Sequence, residues 1–385
     1  MYKDAETRRF GHHRHFMARL RLVRFSQRRV LMAAVMCCTY FITFHGWSSL
    51  DSELNPIGTT FESANLLRTE DGALQHMNAR SHTRMKLLNT LQRALEQPVP
   101  FLLVTGERAT PCKTQQGSHL MMKSYKNKVD YCNLHGCKVW YTLESWEQGM
   151  TGTWARYPIL KRLMRTNPSI EWFMWMDSDA MFTDMAFSIP FDLYNEWNKN
   201  LIIPGYWEKV YADDGDWLSL NAGIFLLRNC EWSQNFLGKW ADFGRPESSK
   251  EFTVKLNVEF KNRPKNWPAD DQSALVYLLR QNRTEHEQKA FLEASYSLHG
   301  FWEYIVDSYE SMLARGNSNG KDKWPFITHF CGCKLCSGEY ATWKSVRCIE
   351  NFERAYHFAD NQVLALAGMR HLHLSTPRVV PIAVV

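Results

Sequence analysis

From Phe101 onward, short apolar runs alternate with stretches of helical periodicity, and the alternation names the elements. Phe101-Leu102-Leu103-Val104-Thr105-Gly106 has the form of a buried strand ending in glycine, where the exit loop can approach a ligand closely. Between Leu120 and Cys132 basic and apolar residues alternate at helical spacing, and residues 137–143 read as a second strand. A helix over 153–165 leads through Pro168 to Trp172-Phe173-Met174-Trp175-Met176, an unbroken bulky run that suits a parallel strand covered on both faces. This strand-helix order predicts a doubly wound α/β domain of nucleotide-binding, Rossmann-like type. Farther on, 220–227 reads as another buried strand with Asn221 and Gly223 at its start, and 232–243 as a helix. Residues 301–314 place Trp302, Ile305, Val306, Tyr309, Met312 and Leu313 on one helical face, a stripe that reads as core. A strand over 324–330, a helix over 346–368 and an apolar tail that docks on the body complete the pattern. There is no internal repeat and no Gly-x-Gly-x-x-Gly or Walker sequence, so dinucleotide and P-loop chemistry have no motif support.

Before this body the pattern is different. Residues 1–29 are a basic tail in which Arg8, Arg9, Arg14, Arg19, Arg21, Arg24, Arg28 and Arg29 face only Asp4 and Glu6. The formal net charge of +6 is concentrated there, and the rest is near neutral, which removes the electrostatic case for nucleic acid. Residues 30–47 are free of charge and near the lower length limit of a membrane-spanning helix. Positive charge on the N-terminal flank predicts a signal anchor of type II orientation, with a cleaved signal peptide or an organellar presequence as alternatives. Residues 48–97 are polar and read as a stem, with one short amphipathic helix carrying Met85, Leu87, Leu88, Leu91 and Leu95. The composition, 45% hydrophobic and 14% aromatic, is that of a folded protein. A lumenal body would permit disulfides among Cys112, Cys132, Cys137, Cys230, Cys331, Cys333, Cys336 and Cys348, with the pairing open, and glycosylation at Asn282.

The apolar run 172–176 breaks directly into Asp177-Ser178-Asp179. Carboxylates two apart on a strand point to opposite faces, so they converge only if the strand ends at Met176 and the chain turns at the small Ser178. At the carboxyl end of a buried strand such a pair suits Mn²⁺ or Mg²⁺ held together with substrate phosphates, and a nucleotide diphosphate is the implied partner. The plainer reading is capping or turn chemistry. Asp270-Asp271-Gln272 precedes the apolar 274–279, where either acid can cap a helix; the second acid and Gln272 exceed what a cap needs and suit hydroxyl recognition or positive charge on a sugar ring. His329 ends a strand and Lys334 follows it, a metal ligand and a phosphate counter-charge in one reading. A zinc knuckle of His329, Cys331, Cys333 and Cys336 is the other, and it is too compressed to close a tetrahedron readily. His299 lies in a Gly-flanked loop, structural or functional.

These motifs, in this order, resemble the plant family 34 α-1,6-glycosyltransferases, which include xyloglucan 6-xylosyltransferases and galactomannan galactosyltransferases. The similarity runs nearly continuously over 101–370, through Leu103-Val104-Thr105-Gly106, Lys126-Asn127-Lys128, Asp130-Tyr131-Cys132, 175–185, 220–229, 270–273, 298–302, 326–336 and Phe358-Ala359-Asp360-Asn361-Gln362. The resemblance implies a GT-A fold in a single catalytic domain, 98–374, before a tail at 375–385. It implies a Golgi membrane enzyme of type II topology that uses Mn²⁺, or Mg²⁺, and a UDP-sugar to place an α-linked sugar on O6 of a β-1,4-glucan or β-1,4-mannan, alone or in an oligomer with other Golgi transferases. By motif position Asp177, Asp179 and His329 hold the metal. Gly106, Lys126, Asn127, Ser178, Asn221 and Gly332 lie near the donor, and Lys334 faces the diphosphate. Asp270, Asp271, Gln272 and His299 surround the transferred sugar. Anomeric configuration is retained, with the leaving diphosphate taking the acceptor proton. Cys137 and Cys331 depart from the usual pattern, and Cys331 bears on pairing beside His329. Xylosyl transfer to glucan is the expected reaction, galactosyl transfer to mannan the alternative, and a non-catalytic scaffold subunit the rival from another class.

Overall fold

A computed structural model describes residues 99–213, 215–317, 323–336 and 345–382. The basic tail, the apolar stretch at 30–47 and the stem with its amphipathic helix lie outside them. Among the described residues no helix is long and apolar enough to cross a membrane.

The first half runs β1 (Phe101–Gly106), α1 (Gln115–His135), β2 (Lys138–Thr142), α2 (Arg156–Thr166), β3 (Trp172–Met176), β4 (Ala180–Phe182), α3 (Phe191–Glu196), β5 (Leu201–Pro204), α4 (Trp207–Val210) and β6 (Ile224–Arg228). The second half runs α5 (Glu231–Asp242), α6 (Ser249–Glu259), α7 (Asp271–Gln281), α8 (Arg283–Lys289), β7 (Ala290–Glu293), β8 (Gly300–Phe301), α9 (Tyr309–Arg315), β9 (Ile327–His329), α10 (Ser345–Leu364), β10 (Met369–His371) and β11 (Val379–Pro381).

Six strands form the main sheet in the order β2-β1-β3-β6-β5-β7. β1 is parallel to β2 and β3, but β6 runs antiparallel to both β3 and β5. The strand before the acids is therefore parallel on one side only, and the sheet is mixed rather than all parallel. It is a GT-A-like α/β arrangement. Alternation explains the unbroken apolar run of β3: Phe173 and Trp175 enter the core under α2, α5 and α7, whereas Trp172, Met174 and Met176 enter the core that includes Tyr131 of α1 and Ala359 of α10. With both faces covered, each such side chain contributes about 1.5–3 kcal/mol of burial.

Helix α1 starts at Thr114, whose Oγ1 accepts from Gly117 N at 2.9 Å, and stops at Gly136, which takes φ 72° to close the end. Among the described residues three disulfides join Cys112 to Cys336, Cys132 to Cys137 and Cys333 to Cys348, leaving Cys230 and Cys331 as thiols. Cys333 and Cys336 are thus spoken for, and the four-residue zinc knuckle is excluded.

Two expected elements differ. The strand expected from Leu220 begins at Ile224, because Asn221 Oδ1 accepts from Gly223 N at 2.9 Å and turns the chain first. Residues 301–314 are not one helix: Gly300–Phe301 pair with β9, two 3₁₀ turns follow, and α9 begins only at Tyr309. The apolar stripe still packs into one core, with Phe330, Phe352 and Phe358. After Gly368, where the expected helix ends, the chain folds into the β10–β11 hairpin, which carries part of the expected tail.

Candidate active site

The acid turn is shaped by two sheets. β3 ends at Met176, Asp177 N donates to Gly223 O at 2.9 Å, and Ala180 N donates to Asp177 O at 3.2 Å. The chain leaves as β4, which pairs antiparallel with β9 and sets Ala180 opposite His329. The turn thereby aims Asp177 and Asp179 at one imidazole. His329 Nε2 lies 3.1 Å from Asp179 Oδ1, and ligand atoms of Asp177, Asp179 and His329 all fall within 4.8 Å of one another. A Cβ on Gly223 would meet His329 at 2.4 Å and Asp177 at 2.8 Å, so only glycine leaves this space clear. Ser178 supports the turn from beneath: its Oγ donates to Glu107 Oε2 at 2.8 Å, and its carbonyl accepts from Ser124 Oγ at 2.6 Å.

Burial and charge set the electrostatics. Burial pushes the Asp177 carboxyl up, and Arg156 only partly offsets this. Burial also acts to raise Asp179, but His329 outweighs it and holds that carboxyl below its usual range. For His329, burial lowers the imidazole, yet Cys331 and Asp179 raise it well above its ordinary value. Beneath the turn lies Lys128, fully enclosed, its Nζ donating to Ser124 Oγ and Ala180 O at 2.7 Å each. Burial brings it down to about 7 against the pull of Asp179 and Asp177.

Across the cavity stands the first turn of α7. Asp271 Oδ2 accepts from Tyr157 Oη at 3.1 Å and pairs with Arg156 Nη1 at 3.5 Å. The same guanidinium reaches Asp177 Oδ1 at 3.1 Å, donates to Ala222 O at 2.7 Å and covers Trp175. Arg156 therefore ties the two acidic walls together. Gln272 Oε1 accepts from Ala222 N at 3.3 Å while its Nε2 donates to Trp217 O at 3.2 Å, which fixes the amide at the rim. The open cavity between these walls is about 220 Å³ and is lined by Arg156, both acids of the turn, Asp271, Gln272 and His329, with Thr153, Asn221, Cys331 and Gly332. A larger groove of about 820 Å³ lies along α10, but its Asp307 and Arg347 pair with each other at 2.9 Å and no acid turn faces it.

Several expected site residues lie elsewhere. Asp270 is the cap of α7: Oδ1 accepts from Ser273 N at 2.8 Å and Oδ2 pairs with the fully buried Arg263 at 2.8 Å. Lys126 pairs with Asp130 and Asp360, at 2.5 Å and 2.8 Å, and Asn127 brackets the backbone of Phe182; neither lines the cavity. Gly106 is required by the close approach of β1 to β2, since a Cβ would lie 2.4 Å from Thr142 O. His299 stands behind His329, Nδ1 to Nδ1 3.0 Å, and burial pushes it down to about 3, with His329 adding to the shift. Lys334 is exposed beyond Gly332, outside the cavity lining. Asn221, Gln272, Asp271 and Gly332 do line it.

The sequence reading missed Arg156, Lys128 and Glu107. A signal existed for two of them. Arg156 shares the stripe of Leu160 and Leu163, and Lys128 that of Ser124 and Tyr131, so each is a charge on the buried face of its helix.

Fold and cleft together are those of a glycosyltransferase domain. Residues 97–340 match the galactosyl transferase GMA12/MNN10 family, and the chain belongs to that family. It is 46% identical over 280 residues to a probable xyloglucan 6-xylosyltransferase 3 of Arabidopsis thaliana, covering 72% of this chain and 60% of that one. A probable glycosyltransferase 2 of Oryza sativa subsp. indica is 45% identical over 285 residues, 72% of this chain and 58% of the relative. Xyloglucan 6-xylosyltransferase 4 of Arabidopsis thaliana is 44% identical over 281 residues, 72% and 54% respectively. The alignments thus span little more than half the length of these relatives.

Proposed function

We propose that this chain transfers xylose from UDP-xylose to O6 of β-1,4-glucan backbone residues, with retention of configuration. The observation that carries the reading is the convergence of Asp177, Asp179 and His329 across one cavity from Asp271 and Gln272. Two carboxylates and an imidazole fit Mn²⁺ well and Mg²⁺ less well, because Mg²⁺ is the more exclusively oxygen-seeking of the two. Asp177, Asp179 and His329 would hold the ion, which when bound neutralises charge on the donor diphosphate. Asp271, oriented by Tyr157 and Arg156, opposes positive charge developing at the anomeric carbon. Gln272 and Asn221, pinned at the rim, orient sugar hydroxyls. The leaving diphosphate takes the acceptor proton. Xylose and glucan follow from the similarity to the Arabidopsis xyloglucan 6-xylosyltransferases.

A Golgi membrane location with the body lumenal is part of the same proposal. It is supported by the basic run before the apolar stretch at 30–47 and by three disulfides, which suit an oxidising compartment.

The test is to incubate the purified chain and Mn²⁺ with UDP-xylose, UDP-galactose or UDP-glucose and with cello- or manno-oligosaccharides, and to assign the product linkage by NMR. An α-1,6-xylosylated cello-oligosaccharide is the expected product. Galactose transferred to the manno-oligosaccharide alone would replace xylosyl with galactosyl transfer, and no UDP release with any donor would favour a scaffold.

A further inference from the structure

His329 has two faces, and only one is used by the acids. Its Nε2 looks toward Asp179, whereas its Nδ1 looks toward His299, 3.0 Å away. The pairing of β8 with β9 sets Phe301 beside His329 and so carries the loop holding His299 up against it. Two residues beyond His329 stands Cys331, whose thiol is free while its neighbours Cys333 and Cys336 are bonded to Cys348 and Cys112. Those two disulfides fix the segment that carries the thiol. Trp302 Nε1 also holds it by donating to Cys331 O at 3.3 Å. Donor atoms of His299, His329 and Cys331 all lie within 4.8 Å of one another, and Cys331 lines the cavity, so an ion can reach them from the cleft.

Two imidazoles and a thiol are the wrong set for Mn²⁺ or Mg²⁺ and a suitable one for zinc, which takes nitrogen and sulfur at about 2.0–2.3 Å in tetrahedral array. Nitrogens sharing such an ion stand roughly 3.3 Å apart, so the His299–His329 spacing needs only a few tenths of an ångström of adjustment. Three protein ligands leave a fourth position for water. One neutral imidazole offers one lone pair, so His329 cannot ligate a metal through Nδ1 and through Nε2 at the same time.

We propose that His299, His329 and Cys331 form a second cation site that takes a soft divalent ion such as Zn²⁺ and competes with the hard ion of the acid turn for His329. The competition and its inhibitory consequence rest on the proposed function; the ligand set of His299, His329 and Cys331 does not.

Co²⁺ is the probe for the site, titrated into metal-free full-length chain while the near-ultraviolet thiolate-to-cobalt charge-transfer absorption is followed. One equivalent of Co²⁺ should produce the band, and Zn²⁺ should abolish it by displacement. Cys331→Ser should remove the band, and His299→Ala should weaken cobalt binding at least about tenfold. Asp177→Asn and Cys230→Ser should both retain it, and unchanged unfolding midpoints would verify that each variant is folded. No band in the wild type, a band that survives Cys331→Ser, or loss of the band in Asp177→Asn would overturn the proposal. In the transfer assay, Zn²⁺ should inhibit at constant Mn²⁺, and Cys331→Ser should raise the concentration needed at least about tenfold. If no donor is turned over, the proposed function fails while the cobalt titration still decides the site.

Discussion

Two pairs of acids, Asp177 with Asp179 and Asp270 with Asp271, meet opposite fates although both stand at the mouth of the same cleft. The first pair is separated by Ser178 across a turn that two sheets hold closed, and both carboxylates face His329. The second pair is contiguous at a helix start. Asp270 is extended at φ −112° and folds its carboxylate back onto the first turn of α7, while Asp271 is already helical and points to Arg156 and Tyr157. One backbone geometry delivers two acids to the site, and the other splits them between the fold and the site. Residue type and proximity do not assign a role; the local backbone does.

The sharpest break of that comparison is in the first pair. Asp179→Asn or Asp177→Asn should abolish Mn²⁺-dependent UDP binding in calorimetry and lower turnover about 10³-fold while the protein stays folded. Retained metal-dependent UDP affinity would sink the metal assignment. Asp271→Asn should leave UDP binding within a few fold and lower kcat about 10²-fold, because it acts on the sugar rather than the diphosphate. Its neighbour should affect stability instead of turnover. Asp270→Ala removes a cap and strands the buried Arg263, which predicts a loss of about 3 kcal/mol in urea unfolding with turnover nearly unchanged. Equal kinetic damage from Asp270→Ala and Asp271→Asn would show that the split between them is wrong.

What the sequence discloses follows the same logic. β1 and β3 were legible because strands buried on both faces must be apolar throughout, and the acids after Met176 were legible because that run stops abruptly. Asp271 and Gln272 stood out as more than a cap requires. The strands β4, β5 and β7 have three or four residues each, too few to show a period, and β6 began later than its apolar residues suggested. Arg156 and Lys128 were lost because charge on a helix reads as solvent-facing until the partner surfaces are known. Lys126 shows the converse: two residues before Lys128 in the chain, it sits about 200° away around α1 and meets Asp360 instead of the cleft.

Asp360 extends the comparison to an acid with no part in the cleft. It joins Lys126 of α1 to His371 of the β10–β11 hairpin, at 2.8 Å and 2.9 Å, on a carboxylate that is 8% exposed. Burial acts to raise this carboxyl, but the bonds from His371 and Lys126 prevail and hold it below its ordinary value. A depressed acid contributes its stability above the unfolded-state pKa of about 3.9 and loses it as pH falls through the lower folded value. Asp360→Asn should therefore cost about 1–2 kcal/mol at pH 7, a modest figure because Lys126 is half exposed and screened by water. The difference from wild type should shrink steadily below about pH 4, as the native carboxyl takes up its proton, and kcat should not change. Urea unfolding of both proteins between pH 7 and pH 3 gives the measurement. A gap that widens in acid would mean that the carboxyl is not ionised in the fold, and a fall in kcat would return Lys126 and its partner to the nucleotide side of the molecule.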